Sequence, residues 1–139
     1  MSRVSISVQL RQFIVSRALN QCEYCLLHQN DSVARHNIDH IISLKHHGST
    51  EADNLALACA ECNYSKGTDI ATIDPLGEQL VRLFNPRTDS WGDHFEFEGA
   101  IIVGLTPSGR GTVLLLRMNE PSRVKQRAYL MATGRYPIT

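Results

Sequence analysis

Two Cys-x-x-Cys pairs, Cys22/Cys25 and Cys59/Cys62, constrain this chain more than any other feature. A CxxC turn sets two thiolates about one tetrahedral edge apart, and a second such turn completes a four-sulfur shell. The pairing matches a structural zinc site, in which four protein ligands leave the metal no open position for catalysis. A redox pair needs only one CxxC, and disulfides need an oxidising compartment. The 33 residues between Cys25 and Cys59 exceed the roughly 15–20 usual between such pairs, so the intervening segment has to carry structure of its own.

A chain of 139 residues with 42% hydrophobic and 20% charged residues is large enough to bury one core, so 1–139 reads as a single domain. The longest apolar runs, Ala100 to Val103 and Val113 to Leu116, are far too short to span a bilayer. The start, Met1-Ser2-Arg3, lacks the apolar stretch of a secretory signal. These features predict a cytoplasmic protein without membrane contact, where paired cysteines are more often metal ligands than disulfides. The formal net charge is zero, so a basic surface for nucleic acid can only be local. Residues 121–139 supply one, with Arg123, Lys125, Arg127 and Arg135 and no acid, whereas Glu51 to Glu78 is acid-rich.

Leu10, Phe13, Ile14 and Ala18 recur at helical spacing and predict a helix from Ser7 to Asn20. Arg35 to Ile42 reads as extended, with Ile38, Ile41 and Ile42 as strand formers. Ser49 or Thr50 is placed to cap a short helix through Asn54 and Leu57. A helical turn follows the second cysteine pair and stops at Gly67. Beyond it, Asp74 to Gly77 is a turn, and Gln79 to Phe84, Phe95 to Phe97 and Ala100 to Leu105 are strands. Thr106-Pro107 opens a helix to about Met118, and Pro121 opens another to near Gly134. Trp91, Phe95 and Phe97 read as core aromatics, and Arg87 and Arg110 as partners of acidic neighbours.

Asp39-His40-Ile41-Ile42, Gly48, Asp53-Asn54-Leu55, Cys59-x-x-Cys62-Asn63 and Lys66-Gly67 occur in that order. With the interleaved cysteine pairs they resemble the HNH endonucleases of the ββα-metal class, over about Gln21 to Gly67. A looser likeness, from Leu83-Phe84-Asn85-Pro86-Arg87 through Trp91 and His94-Phe95 to Gly109-Arg110, resembles the C-terminal extension of stand-alone bacterial HNH proteins. The resemblance implies an α+β protein: a small ββα-metal, treble-clef-like core over 21–67, clipped by the four-cysteine zinc site. An N-terminal helix and a strand/helix extension over 69–139 would wrap that core.

Carried over by position, Asp39 and Asn63 would hold a catalytic divalent ion, His40 would be the general base, and Asn54 would orient it. An amide oxygen in place of imidazole favours a hard ion, so Mg²⁺ or Mn²⁺ is expected there and Zn²⁺ at the cysteines. Phosphodiester hydrolysis needs a base effective near neutral pH, which imidazole supplies, and a cation against developing negative charge. Neighbouring strand residues face opposite ways, so Asp39 and His40 can serve one phosphate only where the strand ends or twists. The expected geometry has Asn54 bonded to His40. Lys66, Arg123, Lys125 and Arg127 are candidate DNA contacts, with His46 and His47 as weaker ones. The implied function is hydrolysis of DNA by a histidine base and one divalent ion. The alternative is a non-catalytic zinc module that binds nucleic acid or protein.

Overall fold

The computed structural model describes residues 5–138; the Met1-Ser2-Arg3 start lies outside the described residues. The chain begins with helix α1 (Val8–Arg17), capped where Ser7 Oγ accepts from Leu10 N at 3.1 Å. Two short antiparallel strands follow, β1 (Asn37–His40) and β2 (Leu55–Ala58), and then helix α2 (Ala60–Lys66). Asn37 pairs with Ala58, Ile38 with Leu57, Asp39 with Ala56 and His40 with Leu55. This hairpin and α2 are the ββα unit.

Every residue of β2 is buried, because both of its faces are covered. Leu55 and Leu57 pack with Ile14 of α1. Ala56 and Ala58 belong instead to the cluster that holds the four cysteines, and their small side chains let the cysteine turns approach. The segment predicted to be a helix through Asn54 and Leu57 is therefore a single 3₁₀ turn (Ala52–Asn54) followed by a strand. A run buried on both faces carries no period-2 alternation, which is why it resembled a helix. The first cysteine turn is stitched to the same strand: Glu23 N donates to Leu57 O, and Leu57 N donates to Glu23 Oε2, each at 2.8 Å.

The second half adds two hairpins and three helices. Strands β3 (Ala71–Ile73) and β4 (Leu80–Arg82) flank the Asp74 turn. Helix α3 (Trp91–His94) leads into β5 (Phe95–Glu98), which pairs with β6 (Ile101–Gly104). Helices α4 (Pro107–Leu115) and α5 (Pro121–Ala132) each have Pro in the first turn, as predicted. β3 and α3 were not expected from sequence; at three and four residues they are too short for periodicity to register. A Cβ on Gly104 would stand 2.3 Å from Arg110 N, so α4 lies directly on β6 only because this residue is glycine.

Phe84, Phe95, Ile102, Leu116, Met118, Leu130 and Tyr136 share one buried cluster with the four cysteines. Trp91 and Phe97 pack against it, consistent with core aromatics. The second half also grips the first cysteine turn directly: Trp91 Nε1 donates to Tyr24 O at 2.8 Å, Tyr136 Oη donates to Cys25 O at 2.6 Å, and Arg87 pairs with Glu23. The whole is a mixed α+β structure whose buried four-cysteine cluster is consistent with an HNH ββα core. Among the described residues, no helix is long and apolar enough to cross a membrane.

Candidate active site

Cys22 and Cys25 stand on the first turn, and Cys59 and Cys62 at the start of α2, where Cys59 is the cap residue. All four are free and buried, with their Sγ atoms within 4.8 Å of one another. Cys25 Sγ lies 3.6 Å from Cys59 Sγ. Zinc–sulfur bonds of about 2.3 Å require tetrahedral edges of about 3.8 Å, and a disulfide requires about 2.05 Å. The cluster is therefore consistent with structural zinc.

Arg123 of α5 reaches this cluster. One of its terminal nitrogens stands 3.1 Å from Cys62 Sγ and 3.9 Å from Cys59 Sγ, and the other donates to Leu116 O at 2.7 Å. Burial works against its charge, yet the sulfurs of Cys62, Cys25 and Cys59 hold the guanidinium above its usual pKa.

Asp39 and His40 close β1, and the chain bends at Ile41–Ile42. Alternation along the strand sends the two side chains to different partners. Asp39 turns to the cysteine side and is 4% exposed. Its Oδ2 accepts from Tyr24 Oη at 2.6 Å, and its Oδ1 accepts from Lys66 Nζ at 3.2 Å. Burial pushes the Asp39 carboxyl above the usual carboxylate range, while Lys66 and Tyr24 pull the other way. Lys66 is itself only 1% exposed and donates also to His40 O at 3.1 Å.

The half-buried His40 ring places Nε2 3.1 Å from Thr50 Oγ1. Its pKa is lowered, first by burial and further by Lys66, against the opposing pull of Asp39. The imidazole is therefore neutral at neutral pH, the form that can accept a proton.

Asn54 does not bond to His40. Its Oδ1 accepts from Ile42 N at 2.9 Å, and its Nδ2 donates to Ile42 O at 2.9 Å and to Ser49 O at 2.8 Å. This amide continues the ladder where β1 bends away, and it cinches the 42–49 loop that leads to Thr50. Gly48 sits inside the cinch: a Cβ there would fall 1.7 Å from Ile42 O and 2.8 Å from Asn54 Nδ2. Thr50, expected only as a helix cap, is the side chain that touches His40.

Asn63 is half-buried on α2, three residues before Lys66 and therefore on the same helix face. Lys66 reaches Asp39 at the end of β1. A carboxylate offers about four acceptor sites, of which Tyr24 and Lys66 use two. A carboxylate and an amide oxygen are the donor types a hard divalent ion takes.

The basic residues expected to meet nucleic acid divide. Lys125 is exposed. Arg127 is buried, donating to Ala100 O and Met118 O, both at 2.7 Å, with its guanidinium over the Tyr136 ring. Arg123 is committed to the cysteines and Lys66 to Asp39. All three thus already have partners within the protein. Arg87 and Arg110 do pair with acids, Glu23 and Asp74. His46 and His47 are exposed in the loop after His40.

Residues 22–69 match the HNH endonuclease family. No curated protein and no solved structure matches the chain. The matched stretch runs from the first cysteine through β1, the cinched loop, β2 and α2, so residues 22–69 are an HNH endonuclease family domain with a buried four-cysteine cluster.

Proposed function

We propose that this protein is a metal-dependent endonuclease that hydrolyses phosphodiester bonds of DNA, with His40 as general base. The family match over residues 22–69 carries this reading. The neutral His40 ring at the end of β1, beside Asp39 and facing Thr50, supports it. In the tautomer whose Nε2–H donates to Thr50 Oγ1, His40 keeps a lone pair on Nδ1 to take a proton from the attacking water. Asp39 and Asn63 would hold a Mg²⁺ or Mn²⁺ ion. When bound, that ion supplies positive charge against the phosphate and the leaving oxygen. Lys66 keeps Asp39 and the His40 backbone in register with α2. Asn54 orients the base at one remove, through the loop that ends in Thr50. Residues 69–139 complete the same domain by covering the zinc cluster, and Lys125 is the basic side chain of α5 left free for phosphate. The four free thiols fit a reducing cytoplasm.

One observation favours a second reading, a non-catalytic zinc module: both carboxylate oxygens of Asp39 already have partners within the protein. Plasmid cleavage with Mg²⁺ or Mn²⁺ separates the two. Wild type should nick or cut, and His40→Ala should lose roughly 10²–10⁴-fold, the usual contribution of a general base. A folded, zinc-loaded wild type that leaves the plasmid intact would establish the second reading instead.

A further inference from the structure

The first cysteine turn carries more than two sulfurs. Tyr24 lies between Cys22 and Cys25, is fully buried, and donates its hydroxyl to Asp39 Oδ2 at 2.6 Å. Its ring stands edge-on to Phe84, with centroids 6.4 Å apart, and its backbone oxygen accepts from Trp91 Nε1. On one side Glu23 is locked to β2, and on the other Cys25 O is held by Tyr136. The phenol therefore has no freedom to swing away. Wherever the cysteine turn sits, the Tyr24 hydroxyl sits with it, and one oxygen of Asp39 is drawn to that hydroxyl. The other oxygen, Oδ1, then points to Lys66 on α2.

We propose that Tyr24 is a positioning residue that transmits the geometry of the zinc cluster to Asp39, holding Oδ2 and so fixing the orientation in which the carboxylate is presented to α2. The assignment rests on the reading of Asp39 as a metal ligand. Groups that hydrogen-bond a ligating carboxylate fix its orientation, and their removal typically costs about 10–100-fold in metal affinity or activity.

The test is Tyr24→Phe, which keeps the ring and its packing. Zinc content should stay at the wild-type level, and Mn²⁺ affinity, titrated by electron paramagnetic resonance on zinc-loaded protein, should fall about 10–100-fold. In cleavage assays the half-saturating Mn²⁺ concentration should rise by more than the saturated rate falls. A Phe variant that is zinc-loaded and binds Mn²⁺ within twofold of wild type would overturn the role of Tyr24 alone. A wild type that binds no Mn²⁺ would overturn Asp39 as a ligand and this inference with it. Should the variant not fold, the wild type decides: the Tyr24 ¹³Cζ resonance should move as Mg²⁺ saturates the protein, and an unmoved resonance overturns the inference.

Discussion

At the scale of single residues, formal charge says little about use until the partners are known. Arg123 belongs to the most basic stretch of the chain, yet its guanidinium lies 3.1 Å from a cysteine sulfur. Four thiolates around a divalent ion leave two negative charges in a buried place, and a cation at hydrogen-bond distance offsets part of that. Arg123→Gln should therefore release zinc to a chelating dye about tenfold faster, with Arg123→Lys between it and wild type. Equal release rates would reduce Arg123 to packing. Asp39, His40, Asn54 and Asn63 were all recognisable in the sequence as candidate site residues. Tyr24 and Thr50, which touch Asp39 and His40, were not, because each lies at a distance in sequence that no local spacing encodes.

At the scale of elements, the segment between β1 and β2 is a rigid device rather than a slack loop. The Asn54 side chain holds Ile42 and Ser49, and Ile41 N donates to Asn54 O at 2.9 Å, so one residue closes both ends. Gly48→Ala would push a methyl into the Ile42 carbonyl, which only a backbone shift relieves. Such overpacking should destabilise the protein by about 1–3 kcal/mol, read from urea unfolding, and should weaken cleavage through the loss of the Thr50 contact. Unfolding at the wild-type midpoint would show that the loop yields freely. The helices α1, α4 and α5 were legible from apolar spacing and from Ser7, Pro107 and Pro121. β2 was not, because a Leu-Ala-Leu-Ala run buried on both faces has no polar residue to mark its period.

At the scale of the whole molecule, the second half is bound to the first through the cysteine cluster and through ion pairs. Arg87–Glu23 is one such pair between the halves, and within the second half a further pair joins α4 to the turn between β3 and β4. Arg110 meets Asp74 with bonds of 3.0 and 2.8 Å, and Asp74 is 4% exposed. The Arg110 guanidinium, with help from the backbone of Leu76 and Gly77, holds the Asp74 carboxyl down from 3.8 to about 2. A depressed carboxylate stabilises the fold fully above its unfolded pKa, and that contribution disappears as pH falls through its folded value. Thermal unfolding of wild type should therefore show a loss between about pH 4 and pH 2 that is smaller in Asp74→Asn. Identical pH profiles would mean that the pair leaves stability unchanged in acid.

The sequence by itself determined the four-cysteine cluster and the order of the candidate site residues. Four cysteines in two CxxC turns suit a compact four-sulfur shell, and Asp39-His40, Asn54 and Asn63 fall between and beside them at local spacings that any fold of the segment would keep. The tertiary structure decided which groups meet. Antiparallel pairing of β1 with β2 sends Asp39 to Tyr24 and Lys66 and His40 to Thr50. Packing of α5 against the cysteine cluster and the second half converts Arg123 and Arg127 from surface charges into internal donors. The physical reason is range. A turn or a cap is set by residues within a few positions, whereas a hydrogen bond across 15 or 61 positions exists only after the core has brought its two ends together.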